Sequence, residues 1–369
     1  MKSQAIGAEP AMGSCFDLLL LIRCRFKEAL LLNGFDFWVQ TVRASRIQTI
    51  AGLLAILGVL PASASEPLYV KNLSPVAGLM GLPSQRDAQT TPSGKVAVAL
   101  YGSVANDYVN ESSDTEFLNL DGETLRVALE LRYGLAENWG IQLEVPWLQQ
   151  SGGELDGAID DWHDFWGMSD GGRSDVPRDI LDYQYMSPAG GFSLQDDTSG
   201  MGDISLSLNH VFYQDESSAV SLALGYKFGT GDEDEFLGSG ADDAFIALRF
   251  SGAQMSNLPL TWHGQAGYLH AGDSNLFDGF QEQNLWFAGL AVDWQFAQRW
   301  SLIAQLDGHA APLDSSLAGV GDDAVMATLG TRWYFAPHWS MDFNFVEDIR
   351  VATAPDVTFQ ASLRYRPES

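Results

Sequence analysis

The sequence predicts an all-β protein: a closed antiparallel transmembrane β-barrel of about twelve strands, with short turns at one end and long acidic loops at the other. Three observations predict it. From Lys95 onward apolar and polar residues alternate with period two. The alternating runs are even in number, and their connections are by turns short and long, as in outer-membrane barrels.

Taken in order, residues 1–41 precede the first recognisable feature and suit an over-extended N-terminus. Residues 42–64, "VRASRIQTIAGLLAILGVLPASA", place Arg43 and Arg46 ahead of an apolar stretch from Ile50 to Leu60 and small residues at Ala62 and Ala64. That is the layout of a secretory signal peptide cleaved after Ala64. The apolar stretch is shorter than the ~20 residues of a membrane-spanning helix. The two cysteines, Cys15 and Cys24, both lie upstream of it, so the remainder has no thiol framework. Residues 65–92 show no alternation and are expected to form a periplasmic segment before a barrel spanning 93–369.

The runs fall near 95–108, 122–135, 139–149, 201–213, 218–229, 242–252, 259–270, 284–296, 300–309, 322–335, 339–347 and 356–366. The second is representative: Leu125, Val127, Leu129, Leu131 and Tyr133 alternate with Arg126, Ala128, Glu130 and Arg132. Short connections (136–138, 214–217, 253–258, 297–299, 336–338) interleave with longer ones (109–121, 150–200, 230–241, 271–283, 310–321, 348–355).

Several short turns share one pattern. "WYFAPHWSMDFNF" (333–345), "QFAQRWSLIAQLD" (295–307) and "GLAENWGIQLEV" (134–145) each carry an apolar residue, Ala, two variable residues and Trp. Such rings suit the level of a membrane interface, which assigns Trp139, Phe296, Trp300, Phe335 and Trp339 to the lower aromatic girdle. The third turn residue, Asn138, Arg299 or His338, is expected in the left-handed region. A three-residue turn at 336–338 sets Phe335 opposite Trp339, Trp333 opposite Met341, and Arg332 opposite Asp342 on the other face.

Alternation then assigns the lumen. Arg126, Glu130, Arg132, Gln142, Glu144 and Lys227 point inward in the first half of the barrel, and Arg249, Asp293, Asp307, Arg332, Asp342 and Arg364 in the second. The lining is polar and of both signs. Barrels of about eight strands are filled by side chains and those of sixteen hold open channels, so twelve predicts a narrow lumen.

Other chemistry is weakly signalled. "AGDSNL" (271–276) resembles a hydrolase nucleophile block, but no general base follows at a usable spacing. Asn209 and His210 are adjacent, so they face opposite sides of a strand and cannot join one catalytic set. Asp160, Asp161, His163 and Asp164, and the run Asp232 to Glu235, lack the grammar of a calcium loop. No catalytic residue, cofactor or dedicated metal site is assigned. A formal net charge of -28 argues against nucleic acid. It suits loosely held divalent cations, with a lipid bilayer and lipopolysaccharide as surroundings. In the loop 150–200, Leu155, Ile159, Trp162 and Trp166 recur at helical spacing. That helix could constrict the mouth through Trp162 and Trp166, lie on the membrane, or brace its own loop, and constriction is favoured.

"NLSPVAGLMGLPS" (72–84), "IDDWHDFWGMSDGGRSDVPRDILDY" (159–183) and the strand-rich remainder resemble an uncharacterised outer-membrane-type family, domain of unknown function 3187. The resemblance implies the architecture and export to the outer membrane of a Gram-negative bacterium, and no chemistry. The sequence alone therefore favours a narrow passive pore for small hydrophilic solutes. A non-conducting structural or adhesive barrel, or a membrane-embedded hydrolase, are the alternatives.

Overall fold

A computed structural model describes residues 65–153, 155, 157, 177–253, 259–349 and 353–368. The segment 42–64 expected to be a signal peptide, the residues before it, and Trp162 and Trp166 lie outside the described residues.

Three long strands come first: β1 (Val96–Ser112), β2 (Phe117–Ala136) and β3 (Trp139–Ser151). Three short ones follow, β4 (Asp182–Met186), β5 (Gly191–Leu194) and β6 (Thr198–Met201). The chain then runs β7 (Ile204–Gln214), β8 (Ser218–Phe228), β9 (Asp243–Ala253), β10 (Leu260–His270) and β11 (Asn284–Ala297). It ends with β12 (Trp300–His309), β13 (Ala324–Ala336), β14 (Trp339–Asp348) and β15 (Val357–Tyr365).

All but β4, β5 and β6 form a closed antiparallel barrel of twelve strands. Closure rests on β1, where Leu100 stands opposite Leu129 of β2 on one side and Leu363 of β15 on the other. A closed ladder leaves no unpaired edge, which hydrocarbon surroundings require. The short strands add regular structure to 150–200, where the sequence predicts a long loop holding a helix near Leu155 to Trp166. β4 extends the sheet beyond the wall on β2, β5 pairs with β4, and β6 pairs with the end of β3.

The outer surface is apolar. Leu100, Leu129, Leu224, Ile246, Leu290 and Leu329 are each 40–53% exposed. In water each would forgo roughly half of the ~1.5–3 kcal/mol that full burial gives, so the surface fits a bilayer. Near the short turns Trp139, Phe296, Trp300 and Trp339 are exposed and Phe335 is half-buried. Trp300 stacks on Trp333 of β13 with ring centres 5.8 Å apart.

The last hairpin places Arg332 opposite Asp342 and Trp333 opposite Met341. The expectation for Phe335 needs correction, since the register shifts after Tyr334 and Ala336, not Phe335, stands opposite Trp339. Left-handed backbone at Asn138 (φ 64°) and His338 (φ 67°) closes the first and last of these turns. Arg299, a residue that tolerates this region less well than Asn or His, does not adopt it.

Residues 65–92 require the largest correction. The absence of alternation marks them as periplasmic, yet they form a U inside the barrel. Leu68, Tyr69, Leu73, Val76, Arg86 and Ala88 are all at most 3% exposed. The outgoing limb rises from the short-turn end, turns over at a 3-10 helical turn at Ala77–Leu79 beneath the long loops, and returns to Val96. Where it leaves the barrel it passes so close to β2 that a Cβ on Gly134 would sit 2.2 Å from the Pro92 carbonyl oxygen. Only glycine fits there.

Candidate functional site

The interior is the chemically distinctive region, and it is built in three levels. At the short-turn end the Glu66 carboxylate meets Arg364, Arg132 (2.9 Å) and Arg366 (3.5 Å). Arg332 donates from Nε to Asp342 at 2.7 Å and from Nη1 to the Glu66 carbonyl at 2.9 Å. Asp342 also takes Arg364 at 2.8 Å. The Ser65 hydroxyl donates to Asp293 at 2.7 Å, and Asp87 on the returning limb holds Arg366 at 2.8 Å.

At mid-height the ring of Tyr69 stacks on Tyr101 of β1 with centres 3.9 Å apart. Its hydroxyl donates to Glu144 at 3.0 Å and accepts from Arg126, which also holds Glu144 at 2.6 Å. Arg86 lies over both rings and pairs with Glu130, whose carboxylate accepts from Gln142 at 2.9 Å. The Leu68 amide donates to Gln305 at 2.9 Å, and Gln85 donates to Asp307 at 2.8 Å.

At the long-loop end Lys227 pairs with Asp203 (2.7 Å) and Asp243 (3.1 Å), and Asp243 accepts the Gly81 amide at 2.7 Å. Above this the chemistry becomes apolar. Val76, Leu79, Met80 and Leu82 of the U pack beneath a cap formed by Tyr183, Tyr185, Phe192, Phe236, Phe277, Phe280 and Leu317. The loops are also tied by Glu116, which accepts from Tyr185 (2.6 Å), Ser315 (2.8 Å) and both donors of Ser316. Partial burial raises the Glu116 pKa, but the bonds from Ser316, Tyr185 and Ser315 outweigh it and hold it at about 2. A carboxylate lowered in this way stabilises the closed loops above its ordinary value of 4.5, and that contribution fades as pH falls toward 2.

Cavities between the U and the wall are about 20–40 Å³ each, room for a few waters. Of the twelve residues assigned to the lumen, all touch or neighbour the inner segment. Arg249 stands apart, since among the described residues no carboxylate pairs with it, and the predicted loop constriction at Trp162 and Trp166 lies outside the described residues. Sequence reasoning missed Glu66, Tyr69, Arg86, Asp87, Tyr101 and Arg366. A signal for them existed in the inward-facing glycines: a Cβ on Gly330 would sit 2.8 Å from Leu68, and one on Gly289 would sit 2.2 Å from Gln85.

The hydrolase-like residues have other roles. Ser274 caps the turn at Leu276 by accepting its amide at 3.2 Å, and His210 stacks on Trp139 at 4.0 Å. Among the described residues no group of three or more His, Cys, Asp or Glu side chains is arranged to hold a metal.

These features define a transmembrane β-barrel whose own N-terminal segment occupies the lumen. The chain belongs to a family of proteins of unknown function, DUF3187, whose family model matches residues 47–367. No curated protein matches the chain. Among solved structures it is similar to the COG4313 outer membrane channel from Pseudomonas putida F1, with 14% identity, a TM-score of 0.49, and coverage of 76% of this chain and 97% of that one. It is also similar to the NanC porin, with 8% identity, a TM-score of 0.42 and coverage of 73% and 100%. A Pseudomonas aeruginosa FadL homologue is similar at 11% identity and a TM-score of 0.37, covering 82% and 100%.

Proposed function

We propose that the protein is an outer-membrane channel for small hydrophilic solutes, held closed in this conformation by residues 65–92. One observation carries the reading: the inner segment is bound to the wall mainly by ion pairs and hydrogen bonds. An apolar contact between the two would leave an insoluble wall once the segment moved, whereas a polar wall can be wetted. Many of the wall's charges also pair with one another, as Arg126 does with Glu144 and Arg332 with Asp342. The wall therefore keeps much of its own neutralisation without the segment.

On this reading the short-turn end faces the periplasm, and the acidic long loops face outward, where divalent cations bridge them to lipopolysaccharide. Export with cleavage after Ala64 makes Ser65 the first residue, which mass analysis of membrane-extracted protein reads directly. The apolar cap favours a second reading, a non-conducting structural barrel, because it seals the end that a solute must pass.

Planar bilayers separate the two. The channel reading expects little current from the intact protein, then discrete and reversible steps when urea is added below the concentration that unfolds the barrel. Silence across that whole range sinks it in favour of the structural barrel.

A further inference from the structure

Arg249 is the cation that the rest of the interior leaves unmatched. It projects inward from β9 and is 3% exposed. Its Nε donates to Gln265 of β10 at 2.9 Å, and its two terminal amino groups find no acceptor among the described residues. Among the described residues no carboxylate lies within ion-pairing distance of it. By contrast Arg86, Arg126, Arg132, Arg332, Arg364 and Lys227 each have at least one.

The guanidinium lines two small voids between the U and the wall, of about 20 and 30 Å³. Other donors around it are also unmet. Arg86 Nε and the Ser84 hydroxyl are buried without a partner, and each lines one of these voids. So is the hydroxyl of Ser221, which stands directly opposite Arg249 on β8. The nearby carboxylates are already engaged: Glu144 by Arg126 and Tyr69, and Asp87 by Arg366. A buried charge without a counter-charge is strongly disfavoured; the void that Arg249 shares with Ser84 has an unmet hydroxyl, whereas the unpartnered acceptor Asn209 Oδ1 lines the other void.

We propose that a small anion binds at Arg249, between the inner segment and the wall of β3, β7 and β9. In the void of about 30 Å³ that both line, Ser84 supplies the contact from the segment and Arg249 the contact from the wall. Voids of this size admit an ion of a few atoms, such as chloride or formate. The anion joins the segment to the wall and so favours the closed form. The inference deepens the channel reading by naming a ligand class for the occupied lumen, and it depends on that reading only for the ion's route.

The test is thermal unfolding of the mature protein in detergent, at constant ionic strength, with sodium formate or chloride replacing gluconate. A ligand that binds only the folded form raises Tm with its concentration. The expected result is a saturable rise in the native protein, no rise in Arg249→Gln, and a rise in Arg249→Lys with half-saturation weaker by roughly tenfold, since lysine lacks the planar fork. Citrate, too large for the voids, leaves Tm unchanged. Equal responses from native protein and Arg249→Gln, a flat titration in both, or a citrate response matching formate would each overturn the site. Because nothing in this readout needs current, a silent bilayer leaves it standing, and a flat titration leaves the channel reading standing.

Discussion

A barrel lacking residues 65–92, with the leader joined directly to Ser93, is expected to conduct in planar bilayers where the intact protein is silent. The deletion removes the buried side chains of the U, among them Leu68, Tyr69, Leu73 and Arg86, from the lumen. It also removes Val76, Leu79, Met80 and Leu82, the floor of the apolar cap. The wall should survive, because its own pairs remain: Arg126 with Glu144 at 2.6 Å, Arg332 with Asp342 at 2.7 Å, Arg364 with Asp342 at 2.8 Å, and Arg132 with Glu130 at 3.0 Å. A twelve-stranded wall is wider than those that side chains alone can fill. Discrete steps of uniform size are the expected signature. A deletion protein that keeps the heat-resistant mobility of a folded barrel and passes no current would show that the loops alone close it, and the structural reading would replace the channel.

The second large effect is expected from Glu66→Ala. Glu66 is 1% exposed and is shared by Arg364, Arg132 and Arg366. Removing one partner from a buried ion pair costs at most about 3–5 kcal/mol, and here the cost is reduced because Arg364, Arg132 and Arg366 keep Asp342, Glu130 and Asp87. The loss falls on the seating of the inner segment, since each arginine belongs to the barrel and the glutamate to the segment. The midpoint of urea unfolding in lipid vesicles should fall accordingly, and Glu66→Gln, which keeps the shape and some hydrogen bonding, should fall less. A shift below ~1 kcal/mol, the range of solvent-exposed pairs, would mean that water reaches the cluster freely and that the segment is not held there.

The wall was legible because its signal is local. Each strand repeats with period two, and a hairpin's register follows from its turn, so Arg332 opposite Asp342 could be counted out from Ala336 to His338. Even there the count failed by one at Phe335, because the register shifts after Tyr334, as it also does ahead of Ala297 in the preceding hairpin. The strands β4, β5 and β6 escaped notice because they are only four or five residues long, too short to establish a period. The inner segment was illegible for a different reason. Its backbone is satisfied by side chains far away in sequence: the Leu68 amide bonds to Gln305 and the Ala88 amide to Ser251. Contacts of that kind impose no repeat. What they do leave is glycine at inward positions of the wall, as at Gly289 and Gly330, where a filled lumen needs room.

The seating of residues 65–92 is most directly measured by a single cysteine at Ser74→Cys, near the apex of the U and 3% exposed. Cys15 and Cys24 precede the expected cleavage site, so the mature chain offers no competing thiol. A polar, membrane-impermeant maleimide applied to the folded protein in vesicles should leave this cysteine largely unmodified and label it fully after denaturation. Rapid labelling of the folded protein, at the rate of a cysteine on an exposed turn, would place the segment outside the barrel and contradict the account.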